Sequence, residues 1–136
     1  MNKLNKLIGI PFKLGGTDFN GCDCRGICYL YHKHVHGIDY PNTDGGKVIF
    51  RDRKKDIERI DGFLLKFCHH IGFDDLQEGD FAIFKGIGSA GSLAVCIDRR
   101  RILYMNKING SSIIKKEALN RSFVSGYRPF KYEKNN

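Results

Sequence analysis

The spacing of apolar residues changes character near Gly79. Before that point they recur at helical intervals. The pattern predicts a short helix over Asn2 to Ile8, stopped by Gly9 and Pro11, and a first long helix from Cys24 to about His36, ended by Gly37. A turn-rich connector follows from Ile38 to Gly46. A second helix is predicted over Lys54 to Cys68, with Ile57, Ile60, Leu64 and Phe67 (or Leu65) on one face and Gly62 as its weak point. After Gly79 the segments are short and strand-like: Asp80 to Phe84, Ser92 to Ile97, Ile102 to Lys107 and Ser111 to Lys115. Turns at Asp98–Arg101 and Asn109-Gly110 join them into a meander. Glu117 to Arg121 reads as a helical turn before a last strand near Phe123 to Tyr127, and Lys131 to Asn136 as a frayed tail. The chain has no internal repeat and no low-complexity segment. Helices first and strands after define one α+β domain over residues 1–136, its N-terminal helices packed on a C-terminal antiparallel sheet.

Composition narrows the functional classes. At 136 residues the chain is long enough to bury a core without staples. No apolar run approaches the roughly 18 residues that span a bilayer. The basic start, Met1 to Lys6, is followed by too short an apolar stretch for a signal peptide, so synthesis in a cytoplasm is expected. Five cysteines, three of them crowded at Cys22, Cys24 and Cys28, form no disulfide framework and read as reduced thiols. A net charge of +8 favours anionic partners: nucleic acid, an anionic cell-wall polymer or an acidic protein surface. The charge is spread, and no basic platform with interleaved aromatic rings is evident, which argues against nucleic acid.

Chemistry concentrates in Gly15 to Gly26, where a glycine-rich loop delivers Cys24 to a helix start. Unpaired N–H groups and the positive end of the helix dipole there favour a thiolate, the nucleophilic form of cysteine. Asp23 is placed to cap the helix. Gly15, Gly16 and Gly21 are expected to supply unusual backbone conformations, and Gly26 a close approach of helix to sheet. Ser89 to Ser92 is small enough to line a substrate cleft or to act as a plain connector. His32, His34 and His36 lie about 12 Å or more along the helix from Cys24, beyond hydrogen-bond reach. His69 and His70 follow the second helix, and for all five histidines an exposed or capping role is expected. Cys24, Cys28 and His32 run i, i+4, i+8 down one straight helix and cannot converge on one ion. A two-ligand clip completed by Cys68 or His69 is the zinc alternative; no metal or cofactor is expected.

These parts, in this order, resemble the NlpC/P60 family of papain-like cysteine peptidases, which cut peptide bonds of bacterial cell walls. Gly9-Ile10-Pro11-Phe12-Lys13-Leu14-Gly15-Gly16 is similar to the family's G-x-P-Y-x-x-G-G, and Gly21-Cys22-Asp23-Cys24-Arg25-Gly26 to G-F-D-C-S-G around the nucleophile. Glu78-Gly79-Asp80-Phe81 resembles P-G-D-L, and Tyr31 to Pro41 is most like members encoded beside phage tail genes. The resemblance spans about Ile8 to Arg128. It implies a papain-like fold with Cys24 as nucleophile. It also implies a histidine base where this chain has Ser92, and a second, orienting histidine where it has Tyr104. Phe12 replaces a tyrosine of many members. A serine hydroxyl accepts no proton near neutral pH, so a general-base contribution of about 10²- to 10⁴-fold is missing at that position.

Two readings follow from the resemblance. One is a phage tail-tip or baseplate component, carried in a virion, with a degenerate cysteine peptidase site and a role in assembly or interaction with tail or baseplate proteins. The other is a working endopeptidase of peptidoglycan that uses Cys24 and an unidentified base.

Overall fold

The computed structural model describes residues 3–40, 53–85 and 92–130. The elements in chain order are a 3₁₀ turn at Lys3–Leu7, strands β1 (Thr17–Asp18) and β2 (Gly21–Cys22), and helix α1 (Cys24–Tyr31), which runs into a π turn at His32–His36. Then come α2 (Arg53–Leu64), β3 (Cys68–Ile71), a 3₁₀ turn at Phe73–Asp75, β4 (Phe81–Phe84), β5 (Ser92–Cys96) and β6 (Arg101–Asn106). The chain continues through β7 (Gly110–Lys115), a 3₁₀ segment at Lys116–Ser122 and β8 (Phe123–Pro129). The predicted connector beyond Tyr40, the loop before Ser92 and the tail from Lys131 lie outside the described residues.

The long strands form one antiparallel sheet in the order β3-β8-β4-β5-β6-β7. The predicted meander is its β4–β7 part. Two pairings depart from the sequence expectation: β8 returns between β3 and β4, and Cys68–Ile71 is a strand, not the end of the second helix. Helix α2 stops at Leu64, and Lys66 and Phe67 donate to the carbonyls of Phe63 and Leu64 in a tightened last turn. The ladder between β3 and β8, from Cys68 opposite Pro129 to Ile71 opposite Gly126, then satisfies the backbone that a longer helix would have used.

Side-chain alternation gives the sheet two apolar faces. Phe81, Ile83, Leu93, Val95 and Leu103 join Ile27, Cys28 and Tyr31 of α1 in the main core. Ala82, Phe84, Ala94, Cys96 and Ile102 form a second cluster with Leu76. Helix α1 lies against β5 and β6, and every residue from Arg25 to Tyr31 is buried. The N-terminal segment is held by one residue of β7. Ser111 donates its hydroxyl to the Leu7 carbonyl at 2.5 Å and accepts from the Ile10 amide at 2.8 Å. That clasp sets the path of the chain into the loop that precedes Cys24.

Candidate active site

Cys24 is the first residue of α1, half-buried beside the main core. Its position is set by Asp23, whose Oδ1 accepts from the Gly26 amide at 2.7 Å and whose Oδ2 accepts from the Gly15 amide at 3.0 Å. One carboxylate thus caps the helix and holds the glycine loop against it. The Asp23 amide closes the arrangement by donating to the Gly16 carbonyl at 3.2 Å. Of the loop glycines, Gly15 has a left-handed backbone (φ 77°), as expected. Gly16 and Gly21 do not, so there the sequence expectation is corrected: both are needed for room, since a Cβ on Gly16 would collide with the Gly21 carbonyl and one on Gly21 with Lys13. Gly26 is corrected in the same way. A Cβ there would strike the Gly16 carbonyl, so its smallness serves the approach of loop to helix, not helix to sheet.

Ser92 opens β5, is 3% exposed and pairs with Phe84 across the β4–β5 ladder. Tyr104 lies on β6 opposite Ser112, half-buried. Its ring packs with the second cluster, whereas Cys24 adjoins the cluster on the α1 face. Phe12 packs on the main core, and its backbone bridges to Cys22.

The histidines are deployed elsewhere. His32 overturns the expectation of an exposed or capping role: it is fully buried, and its Nε2–H donates to the Gly79 carbonyl at 3.0 Å. Tyr31, His36, Tyr40 and Phe81 surround its ring. Burial, assisted by the neighbouring His36 and opposed by the bond to Gly79, pushes its pKa down to about 3, so it is a neutral core group. A signal for this existed, because Cys28 and His32 are four residues apart and so share one helical face. His36 meets the Tyr31 hydroxyl at 3.3 Å and Glu78 at 3.3 Å. His69 stacks on Phe130, and His70 faces Asp61 at 3.5 Å and the Tyr127 ring. Both sit on β3, separated from β5 by β8 and β4, or about 14 Å at normal strand spacing.

Four thiols are enclosed. Cys22 donates to the Asp18 carbonyl at 3.1 Å and Cys28 to the Cys24 carbonyl at 3.3 Å. Burial, with the nearby carboxylates of Asp23 and Asp18, pushes the Cys22 thiol up to about 12. Burial also raises Cys28 and Cys68, and it takes Cys96 to about 12. Among the described residues no three histidine, cysteine or acidic side chains gather where they could hold one metal ion.

Sequence reading did not identify the anchor of the β4 approach. Asp80, wholly buried, takes Arg128 Nε at 3.1 Å and Nη2 at 2.9 Å, and accepts from the Gln77 amide at 2.9 Å. Arg128 also donates to the Asp75 carbonyl at 2.8 Å. Asp80 stands in the Glu78-Gly79-Asp80 motif, but its partner is 48 residues away and no local pattern points to it.

Comparison with known proteins agrees with this architecture. The model of the NlpC/P60 family matches residues 9–127. Among solved structures, the NlpC/p60 domain of the peptidoglycan hydrolase SagA aligns with a TM-score of 0.63 at 16% identity, covering 93% of this chain and 92% of that one. An NlpC/P60 family protein from Bacillus cereus ATCC 10987 aligns with a TM-score of 0.63 at 21% identity, over 94% of this chain and 39% of its own. A lipoprotein-like member of the family from Staphylococcus aureus subsp. aureus Mu50 gives 0.56 at 16%, over 93% and 40%. The chain thus spans about two fifths of the length of the latter two. No curated protein sequence matches it.

Proposed function

This chain belongs to the NlpC/P60 family, and from that premise we propose that it is a cell-wall-directed component of a phage tail tip or baseplate. It keeps the peptidase fold and acts mainly through assembly or interaction, with a peptidase site that lacks its general base. The observation that carries this reading is the deployment of all five histidines away from Cys24. Three lie at the far end of the α1 helical run, and two lie on β3. Ser92 and Tyr104 occupy the positions where the family's motifs carry histidines, and neither supplies a base near neutral pH. A nucleophile without a proton donor for the leaving amine acylates slowly and hydrolyses amides poorly. The likeness of Tyr31 to Pro41 to members encoded beside phage tail genes supports the tail assignment.

The second reading, a working peptidoglycan endopeptidase, is favoured by one feature. Asp23, Gly15, Gly16 and Gly26 hold Cys24 at the helix start with a care that a merely structural cysteine does not require. The test is cleavage of peptidoglycan and purified muropeptides by the parent and by Cys24→Ala, with products read by mass spectrometry. No cleavage by either is expected. Cleavage by the parent that disappears in the variant would establish the second reading and remove the first.

A further inference from the structure

Away from Cys24, the turn between β5 and β6 and the junction of β7 with the following 3₁₀ segment enclose a cleft of about 790 Å³. It lies at the far end of β5 from Ser92, about 15 Å along the strand. Five cationic residues line it (Arg99, Arg100, Arg101, Lys115 and Lys116) against two acidic ones, Asp98 and Glu117. The turn is locked in place. Asp98 Oδ1 accepts from the Arg100 and Arg101 amides, each at 2.8 Å, and Oδ2 accepts from Arg101 Nε at 2.9 Å. The Arg100 carbonyl accepts from the Lys116 amide at 2.7 Å, tying the two walls together. Lys116 is buried and turns its ammonium inward, to the Phe73 carbonyl at 3.0 Å and over the Phe73 ring. Asp98 is therefore matched by Arg101. Arg99, Arg100 and Lys115 are exposed, with no acidic partner among the described residues, and only Glu117 opposes them.

We propose that this cleft binds the phosphodiester backbone of an anionic, base-free wall polymer, a poly(polyol phosphate), through Arg99, Arg100 and Lys115. Guanidinium forks match phosphate oxygens in a bidentate manner, and the Asp98 hydrogen bonds fix the backbone of the turn that presents two of them. Among the described residues that line the cleft there is no aromatic ring on which a nucleobase would stack, which separates a base-free chain from single-stranded nucleic acid. The inference rests on the wall-directed reading above and gives that reading a point of attachment independent of Cys24.

The experiment measures retention of the full chain on poly(glycerol phosphate) and on single-stranded DNA of equal phosphate number, across a salt series. The parent is compared with Arg99→Glu/Arg100→Glu/Lys115→Glu and with a control reversal of the exposed Lys3 and Lys6. Thermal melts confirm that each variant is folded. Expected are preferential binding to poly(glycerol phosphate), weakened steeply by salt, a loss of tenfold or more in the triple variant, and little change in the control. Equal binding by the triple variant, preference for DNA, or no retention of the parent would each overturn the proposal. Peptide cleavage is scored separately. A protein that holds the polymer without cleaving peptidoglycan supports this site and the reading it rests on, one that neither holds the polymer nor cleaves counts against this site alone, and one that cleaves without holding the polymer counts against both.

Discussion

Cys24 differs from the other four cysteines in its surroundings. Cys22, Cys28, Cys68 and Cys96 are buried and their thiols are pushed up by that burial, whereas Cys24 is half-exposed at a helix start. Brief treatment with iodoacetamide at pH 7.5 (roughly neutral conditions) is expected to alkylate Cys24 alone, and peptide mapping reads the outcome. Asp23 holds two amides at once, so Asp23→Ala should lower stability by about 1–2 kcal/mol in a thermal melt. His32 makes a pH prediction. The folded protein keeps it neutral down to about 3 against an ordinary 6.5, so the unfolded chain binds the extra proton between those values. Its contribution is complete above pH 6.5 and is lost as pH falls, by on the order of 3 kcal/mol at pH 4. His32→Gln, which retains an N–H donor but does not titrate, should flatten that part of the stability profile measured by denaturant unfolding.

At the scale of elements, the ion pair of buried Asp80 with the partly buried Arg128 joins the approach of β4 to the end of β8. Burial raises the Asp80 pKa, against the hydrogen bonds from Arg128 and Gln77, so its charge depends on those partners. Arg128→Met leaves the carboxylate enclosed without its cation and should cost about 3 kcal/mol, roughly 10 °C of melting temperature for a domain of this size. Arg128→Lys should recover only part, because an ammonium cannot make the two-pronged contact. The π turn at His32–His36 closes with Gly37 in a left-handed conformation (φ 68°), which explains why Gly37 marks the helix end so legibly in the sequence.

For the whole molecule, the proposed absence of a base can be tested on the two strands that carry Ser92 and Tyr104. Tyr104 packs with the cluster on the face of the sheet away from Cys24, so Ser92→His with Tyr104→His is expected to introduce no muropeptide cleavage that depends on Cys24, read by mass spectrometry. The imidazole must enter a buried place at the head of β5, so a stability cost of about 1–3 kcal/mol accompanies it. Cleavage by that double variant that a further Cys24→Ala abolishes would instead show that the two positions reach the thiol.

The helix start at Cys24, its Asp23 cap, the four meander strands from Phe81 to Lys115 and the 3₁₀ segment before Phe123 were all legible in the sequence, because caps, turns and side-chain periods are local signals. So were the two strands that carry Ser92 and Tyr104. Local signals cannot say which distant strands pair. The return of β8 between β3 and β4, and the strand at Cys68–Ile71 that it induces, exist only because backbone groups nearly 60 residues apart satisfy one another. The same holds for the burial of His32 against Gly79, for the capture of Asp80 by Arg128, and for the walls that gather the arginine turn and Lys115 around one cleft. Each depends on contacts across the fold, and those are decided by packing, not by neighbours along the chain.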